Sequence, residues 1–376
     1  MTELDLETVF GALGRFPDVE ADNLQAFDAT DRLLLETTSD ISSPDTRIVI
    51  IGDRYGALTL GALARLGVDH VRVHQDLFTG RLALERNANE VGAAGHYSSH
   101  ELGKELLAEA DLVLLQLPKS LAELEEIADA VARFAAPGAV LLAGGRVKHM
   151  SVGMNSVLAK YFSTVQPQLA RQKSRVLVAR DAVPVQVRPP FPVVEVLSEL
   201  GISVSAHGAV FSGARLDIGT RFLLTFLERM PEARRIVDLG CGTGILATMI
   251  AKQQEHAEVI ATDQSAAAVA SARGTALENG LAGRITVLHD DAMSSLPPGS
   301  ADLILLNPPF HLGASVHAGA AVKMFEAAAR VLAPGGELWT VYNSHLHYRS
   351  ALERLIGPTV EEGRNPKFTV TRSRKS

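Results

Sequence analysis

Arg235-Ile236-Val237-Asp238-Leu239-Gly240-Cys241-Gly242-Thr243-Gly244-Ile245-Leu246-Ala247 passes from an apolar strand into a glycine-rich turn and then into a helical pattern. Nucleotide-binding βα turns have this form, because glycine permits positive φ and removes the Cβ atoms that hold a ligand off the backbone. Nineteen residues after Gly244, the strand Glu258-Val259-Ile260-Ala261-Thr262 ends in Asp263, an acid suited to accept hydrogen bonds from both hydroxyls of a ribose. A third strand, Ile285-Thr286-Val287-Leu288-His289, ends in Asp290-Asp291-Ala292. A fourth, Ala301-Asp302-Leu303-Ile304-Leu305-Leu306, ends in Asn307-Pro308-Pro309-Phe310. All four sites are expected at carboxyl ends of successive parallel strands, where open α/β sheets bind ligands.

The last of these corners carries the chemistry. Consecutive prolines donate no backbone hydrogen bonds and hold φ near about −65°, and the residue before them is driven into the extended region. The Asn307 side chain and the Pro308 carbonyl then stand as two acceptors, with Phe310 as a stacking face. That set suits a flat heterocycle bearing an exocyclic amine. A glycine loop alone would equally suit a nicotinamide dehydrogenase, but that fingerprint is Gly-x-Gly-x-x-Gly, and an Asn-Pro-Pro-Phe corner has no part in hydride transfer. Together the loop and corner resemble class I S-adenosylmethionine-dependent methyltransferases, in the branch that methylates planar amino nitrogens, over about residues 205 to 376.

The chain of 376 residues is long enough for two domains, and 47% hydrophobic with 21% charged residues describes a globular protein. The amino end is acidic and lacks a signal-peptide core, and no apolar stretch approaches a membrane span, so a cytoplasmic protein without membrane attachment is expected. The single cysteine, Cys241, excludes an intrachain disulfide and reads as a small loop residue. His345-x-His347 has no cysteine or carboxylate cluster near it in sequence, which makes it a poor metal site, and no metal is expected. A formal charge of −7 excludes a uniformly basic nucleic-acid binder. Local runs differ from the sum: eight basic residues face the single acid Asp181 between Ala143 and Phe191, among them Arg146, Lys148, Arg171, Lys173 and Arg175. The last thirteen residues hold five basic residues and no acid. Such runs suit a polyanion track.

The amino-terminal half repeats the plan. Arg47-Ile48-Val49-Ile50-Ile51-Gly52-Asp53-Arg54-Tyr55-Gly56-Ala57-Leu58 aligns with the stretch from Arg235 to Leu246, and 110–119 aligns with 301–310. The intervals are 64 residues from Gly52 to Gln116 and 67 from Gly240 to Asn307, which indicates duplication of a domain. Asp53, Arg54 and Tyr55 replace Cys241, Gly242 and Thr243, filling cofactor space. Gln116-Leu117-Pro118-Lys119 replaces the corner. Four prolines between Val183 and Pro192 read as a stiff connector. The division expected is 1–192, a degenerate methyltransferase-like domain that binds RNA, and 193–376, the catalytic domain. A helix is expected over 222–229, and two final strands after Gly335 close a seven-stranded sheet.

Phe211-Ser212, Leu216-Asp217-Ile218-Gly219-Thr220-Arg221 and Asn307-Pro308-Pro309-Phe310-His311 are similar to the bacterial rRNA guanine-N2 methyltransferases, two-domain enzymes whose first domain is a degenerate methyltransferase fold. Arg15-Phe16-Pro17 with Asn23-Leu24-Gln25-Ala26-Phe27-Asp28-Ala29-Thr30-Asp31 leans toward the large-subunit branch. The resemblance implies an α/β protein of two tandem Rossmann-like class I methyltransferase domains, the second a seven-stranded catalytic sheet. It implies a monomer acting on protein-free or partly assembled ribosomal RNA with S-adenosylmethionine. Asn307 and Pro308 would hold the guanine amine and Phe310 would stack on the base. Gly240, Gly242 and Gly244 would line the cofactor, with Asp263 on its ribose, Asp238 on its amino group, Asp291 on the adenine amine and Ala292 as a backbone donor. A methyltransferase for adenine or protein glutamine, a small-subunit enzyme, or a non-enzymatic RNA-binding assembly protein stays compatible with parts of this pattern.

Overall fold

The structure is a computed structural model that describes residues 5–18, 20–21, 24–39, 41–309 and 314–376. The chain divides into two compact units, Met1–Phe191 and Pro192–Ser376. In the first, seven strands form one sheet: β1 Ile48–Ile51, β2 Val71–His74, β3 Tyr97–Ser99, β4 Leu112–Gln116, β5 Val140–Arg146, β6 Phe162–Pro167 and β7 Ser174–Ala182, in the order β3-β2-β1-β4-β5-β7-β6. The second opens with the hairpin β8 Val193–Leu197 and β9 Ile202–Ala206. Its sheet follows: β10 Arg235–Leu239, β11 Glu258–Asp263, β12 Ile285–His289, β13 Ala301–Leu306, β14 Leu332–Asn343, β15 Thr359–Arg364 and β16 Phe368–Arg374, in the order β12-β11-β10-β13-β14-β16-β15. The two orders are the same when strands are counted within each sheet. In both, five strands run parallel and the last two join antiparallel.

Parallel strands covered on both faces read as continuous apolar runs, and β13 shows why. Leu303 and Leu305 enter one core with Ile236, Ile250 and Trp339, whereas Ile304 and Leu306 enter the opposite core with Val237 and Phe325. Polar anchors repeat as well. Asp111 accepts from the Arg47 backbone N–H at 3.0 Å, and Asp302 accepts from that of Arg235 at 2.9 Å, so each copy pins its first strand to the start of its fourth.

Three features depart from the sequence expectations. The helix expected over 222–229 begins earlier, at Ile218–Leu224, because the Asp217 carboxylate caps it, accepting from Gly219 N at 2.9 Å and Thr220 N at 3.1 Å. Leu227–Arg229 follows as a separate 3₁₀ turn. The tail contributes three strands, not two, since the acidic segment Thr359–Arg364 pairs with β16 as the edge strand. Finally, the hairpin β8–β9 has no counterpart in the sequence reading.

That hairpin lies against the helix Ala266–Glu278, and side chains on the helix satisfy the strand edge. Ser203 N donates to Asn279 Oδ1 (3.1 Å), Ser205 N to Thr275 Oγ1 (3.0 Å) and His207 N to Ser271 Oγ (2.9 Å). The spacing works because two strand residues rise about 6.6 Å and four helical residues about 6.0 Å. Contact this close needs Gly274, where a Cβ would stand 2.6 Å from Ser205 Oγ and 2.8 Å from its Cβ.

Among the described residues, no helix is long and apolar enough to cross a membrane. Gly274→Ala, which in a free helix would stabilise by about 1 kcal/mol, is expected instead to destabilise the protein by about 1–2 kcal/mol through overpacking. Thermal or urea unfolding reads the sign, and a raised melting temperature would contradict this account of the interface.

Candidate active site

At the carboxyl end of β10, the loop from Gly240 to Gly244 wraps over β11. Gly240 N and Cys241 N both donate to the Thr262 carbonyl, at 2.8 and 3.0 Å. The glycines divide the work. Gly244 (φ +76°) permits close packing, since a Cβ there would meet Ala272 backbone and side chain at 3.0–3.1 Å. Gly242 (φ +53°) faces open space, with nothing within 4 Å of an added Cβ, so its bare Cα is the floor of a cradle. Gly240 packs against the end of Met324. Cys241 is buried, and burial first, then the Asp263 and Asp238 carboxylates, push its thiol well up, which suits packing and not nucleophilic attack.

The acids around this cradle are held by backbone. Asp263 Oδ2 accepts from Gly242 N at 2.9 Å and its Oδ1 from Ser265 N at 3.0 Å, so the acid expected to meet a ribose also braces the glycine loop. Asp238 is 1% exposed; its Oδ2 accepts from Ala247 N at 2.9 Å, and its Oδ1 is buried without a partner. Burial, reinforced by the Asp263 charge, raises its pKa to about 7. An orphaned buried carboxylate oxygen beside an open cradle is a place for a cationic donor.

At the end of β12, Asp290 is buried and accepts from Ser295 N (3.0 Å), Ser295 Oγ (2.6 Å) and Ser294 Oγ. Burial works to raise its pKa, but these bonds outweigh it and hold the carboxyl below its usual range. Its role is therefore to build the turn. Asp291 is paired with Lys323, and Ala292 follows with φ +50°.

The corner after β13 is the best-defined part of the site. Asn307 Nδ2 donates to Asp217 Oδ2 at 2.9 Å and to Thr220 Oγ1 at 3.0 Å. A carboxylate can only accept, so the amide nitrogen must face Asp217. The Asn307 Oδ1 is left buried and without a partner, an acceptor awaiting a donor. Gly219 makes room: a Cβ there would sit 3.2 Å from Oδ1 and 3.3 Å from Nδ2. Pro308 is buried and Pro309 exposed, and Phe310 and His311 lie outside the described residues. Asp217 and Thr220 were quoted in the sequence as part of a resemblance but given no role. Their signal was an N-cap residue with a threonine in the following turn, and their contact with Asn307 spans 90 and 87 residues.

The basic runs look different once folded. Arg171 pairs with Glu36 at 3.0 Å, and Arg372 pairs with both Glu337 (3.1 Å) and Glu362 (2.7 Å), so these residues are bound to acids of their own units.

Two sheets of identical order, with a glycine loop, a bracing acid and a locked amide corner on the second, define a two-domain methyltransferase of the class I type. Residues 1–183 match the RLMG N-terminal domain, and residues 201–372 match the Methyltransferase small domain. The chain belongs to the family of the ribosomal RNA large subunit methyltransferases G. It is 36% identical to the protein of that name from Streptomyces coelicolor over 371 residues, covering 96% of this chain and 97% of that one. It is likewise 36% identical to the Pseudomonas aeruginosa protein of strain PAO1 over 374 residues, covering 96% and 97%. The fold is similar to that of the T. thermophilus 16S rRNA N2 methyltransferase RsmC, solved with AdoMet and guanosine, at a TM-score of 0.73 and 23% identity over 93% of this chain and 92% of that one.

The raised pKa of Asp238 makes the folded state take up a proton that an unfolded carboxyl, with a value of about 3.9, would lose. Its stabilising effect is complete below about pH 4 and is lost as pH rises through about 7. Asp238→Asn removes this titration, so the decline in melting temperature of the unliganded protein across that range should become shallower. An unaltered pH profile would show that Asp238 is ionised throughout.

Proposed function

We propose that this chain transfers a methyl group from S-adenosylmethionine to the exocyclic N2 amine of a guanosine in ribosomal RNA, with large-subunit 23S rRNA as the target. The observation that carries this reading is the Asn307 amide, whose two hydrogens are engaged and whose buried oxygen has no partner. The substrate is protein-free or partly assembled RNA, and the enzyme acts as a monomer in the cytoplasm.

When bound, the cofactor supplies an electrophilic methyl on a sulfonium. The cradle suits it: Asp238 Oδ1 would accept from its amino group, Gly242 would give its backbone close approach, and Asp263, which braces the loop, would stand on the ribose side. Asp291, beside Lys323, would hold the adenine amine, and Ala292 N–H would serve as a further donor. Gly240 and Gly244 shape the turn.

A guanine amine is a poor nucleophile because its lone pair is delocalised into the ring. Asn307 Oδ1 and the Pro308 carbonyl, accepting its two hydrogens, favour a pyramidal nitrogen and aim the lone pair at the methyl. The gain comes from alignment, not from a strong base. Phe310 stacks on the base and fixes its plane. Asp217 and Thr220 act through Asn307, as positioning residues that fix which end of its amide meets the amine.

Ribosomal RNA from a strain lacking the gene, incubated with this protein and labelled cofactor, should acquire N2-methylguanosine at one position of the large-subunit RNA. Asn307→Ala should abolish transfer while cofactor affinity stays within about twofold, and label appearing on adenine or on protein would overturn the assignment. Asp217→Asn keeps a competent helix cap but lets the Asn307 amide face either way. Its kcat should fall by about 100-fold with cofactor affinity and RNA KM little changed; a normal kcat would remove Asp217 from the mechanism.

A further inference from the structure

The first unit has lost one half of the duplicated site and kept the other. Its cofactor half is closed from within. Ile50, fully buried, stands where Asp238 does, and Arg54 where Gly242 does. Asp53 turns inward and accepts from Gly56 N (3.0 Å), Thr59 N (2.8 Å) and Thr59 Oγ1 (2.7 Å). Gly52 N donates to the His74 carbonyl at 3.0 Å, as Gly240 N does to that of Thr262, so the next residue, Gln75, takes the place of Asp263. Its Nε2 donates to the Asp53 carbonyl and its Oε1 accepts from Leu77 N, which seals the ribose side.

The substrate half stays open. A cavity of about 230 Å³ lies between the start of the helix Ala29–Thr38, the corner Gln116–Lys119 and the segment that follows β5. The helix start repeats the catalytic one, with Asp28-Ala29-Thr30-Asp31-Arg32 beside Asp217-Ile218-Gly219-Thr220-Arg221. Gln116 Nε2 donates to Asp31 Oδ1 at 2.5 Å, as Asn307 donates to Thr220, and Gln116 Oε1 accepts no hydrogen bond from any described residue. Arg54, Lys119 and Arg146 line the mouth, and Lys148 adjoins the lining residue His149. Arg54, Lys119 and Lys148 are exposed and form no ion pair among the described residues, and Arg146 is only loosely paired with Asp28, at 3.7 Å. Desolvation, then Lys148, Lys119, Arg54 and Arg146 in turn, hold the exposed His149 imidazole below its usual pKa. On the floor, burial and the neighbouring Asp53 push Asp31 up to about 7, and burial raises Asp53.

We propose that this cavity binds an unpaired nucleotide of the substrate RNA, with a phosphate on Arg54, Lys119 and Lys148 and the base inside against Gln116 and Tyr55. A concave site with a free acceptor and converging unpaired cations has the chemistry of a nucleotide pocket, and with the cofactor half closed it holds without modifying. The proposal rests on the reading of the chain as an RNA methyltransferase. It makes the first unit a reader of a second nucleotide, so that methylation requires two bases to be presented, one to each copy of the site.

The test uses the full chain with Arg54→Glu, Lys119→Glu and Lys148→Glu combined, three exposed changes outside the catalytic unit. The KM for deproteinised rRNA should rise at least about tenfold. The slope of log affinity against log salt for a single-stranded oligonucleotide should shrink by about 2, given about 0.7 per phosphate contact. Cofactor affinity and kcat at saturating RNA should stay within about twofold. Oligonucleotides carrying 4-thiouridine should photocrosslink to peptides containing Tyr55 or Met150. An unchanged KM and salt slope, or crosslinks confined to other faces, would overturn the pocket. A 5′-GMP that binds the cavity tightly without competing with RNA would overturn RNA as its occupant. If the unaltered protein neither binds nor methylates rRNA, the functional reading fails instead.

Discussion

A carboxylate has lone pairs and no hydrogen to give, and the placement of Asp217 beside Asn307 turns that fact into a constraint on the whole catalytic unit. The amide of Asn307 can present either an oxygen or a nitrogen to a ligand. With Asp217 and Thr220 taking both of its hydrogens, only oxygen is left, buried and unpartnered. The strand β13 delivers Asn307, and the cap of a helix ahead of β10 delivers Asp217. The chemistry of the corner therefore depends on two distant segments meeting in the right register. An unsatisfied buried acceptor costs about 1–3 kcal/mol, a strain that a donor amine would relieve on binding.

The duplication allows the two copies to be compared as a natural experiment. Sheet order, the anchoring aspartate at the start of the fourth strand, and the amide-to-helix bond at its end are the same in both. What differs is local. An isoleucine replaces the carboxylate under the cradle, an arginine replaces the glycine that opened it, and a glutamine replaces the bracing acid. These differences are confined to strand ends and leave the frame undisturbed, because that frame is held by apolar residues pointing into both cores and by backbone ladders.

Much of this was legible in the sequence. The glycine loop, the strands that end in Asp263, Asp290 and Asn307, and the repeat itself are all patterns within short windows, which periodicity and turn chemistry encode directly. The pairing of Asn307 with Asp217 and Thr220 was not, since it joins residues 90 and 87 apart, and no local rule specifies it. The hairpin β8–β9 was missed because its outer strand is mostly exposed and lacks a buried stripe. The edge strand Thr359–Arg364 escaped for a similar reason, as two glutamates and a glycine obscure its alternation. Charge counts along the chain misled in their own way: Arg372 belongs to an ion-pair network with Glu337 and Glu362, whereas Arg54 and Lys119, which stand in no run, gather at a cavity mouth.

The hairpin also bears on how the protein behaves at high concentration. An exposed strand edge offers a row of unpaired N–H groups, a template on which another chain can add. Here Ser271, Thr275 and Asn279 occupy that row from a helix, so the β9 edge has no backbone donors at these positions for a stranger. A helix cannot be extended sideways as a sheet can, and the assembly stops there. Substitution of Ser271 or Thr275, both fully buried, by alanine would leave the β9 N–H groups opposite them without a partner. These small hydroxyl and amide side chains thus close the edge from within, Ser271 and Thr275 being fully buried.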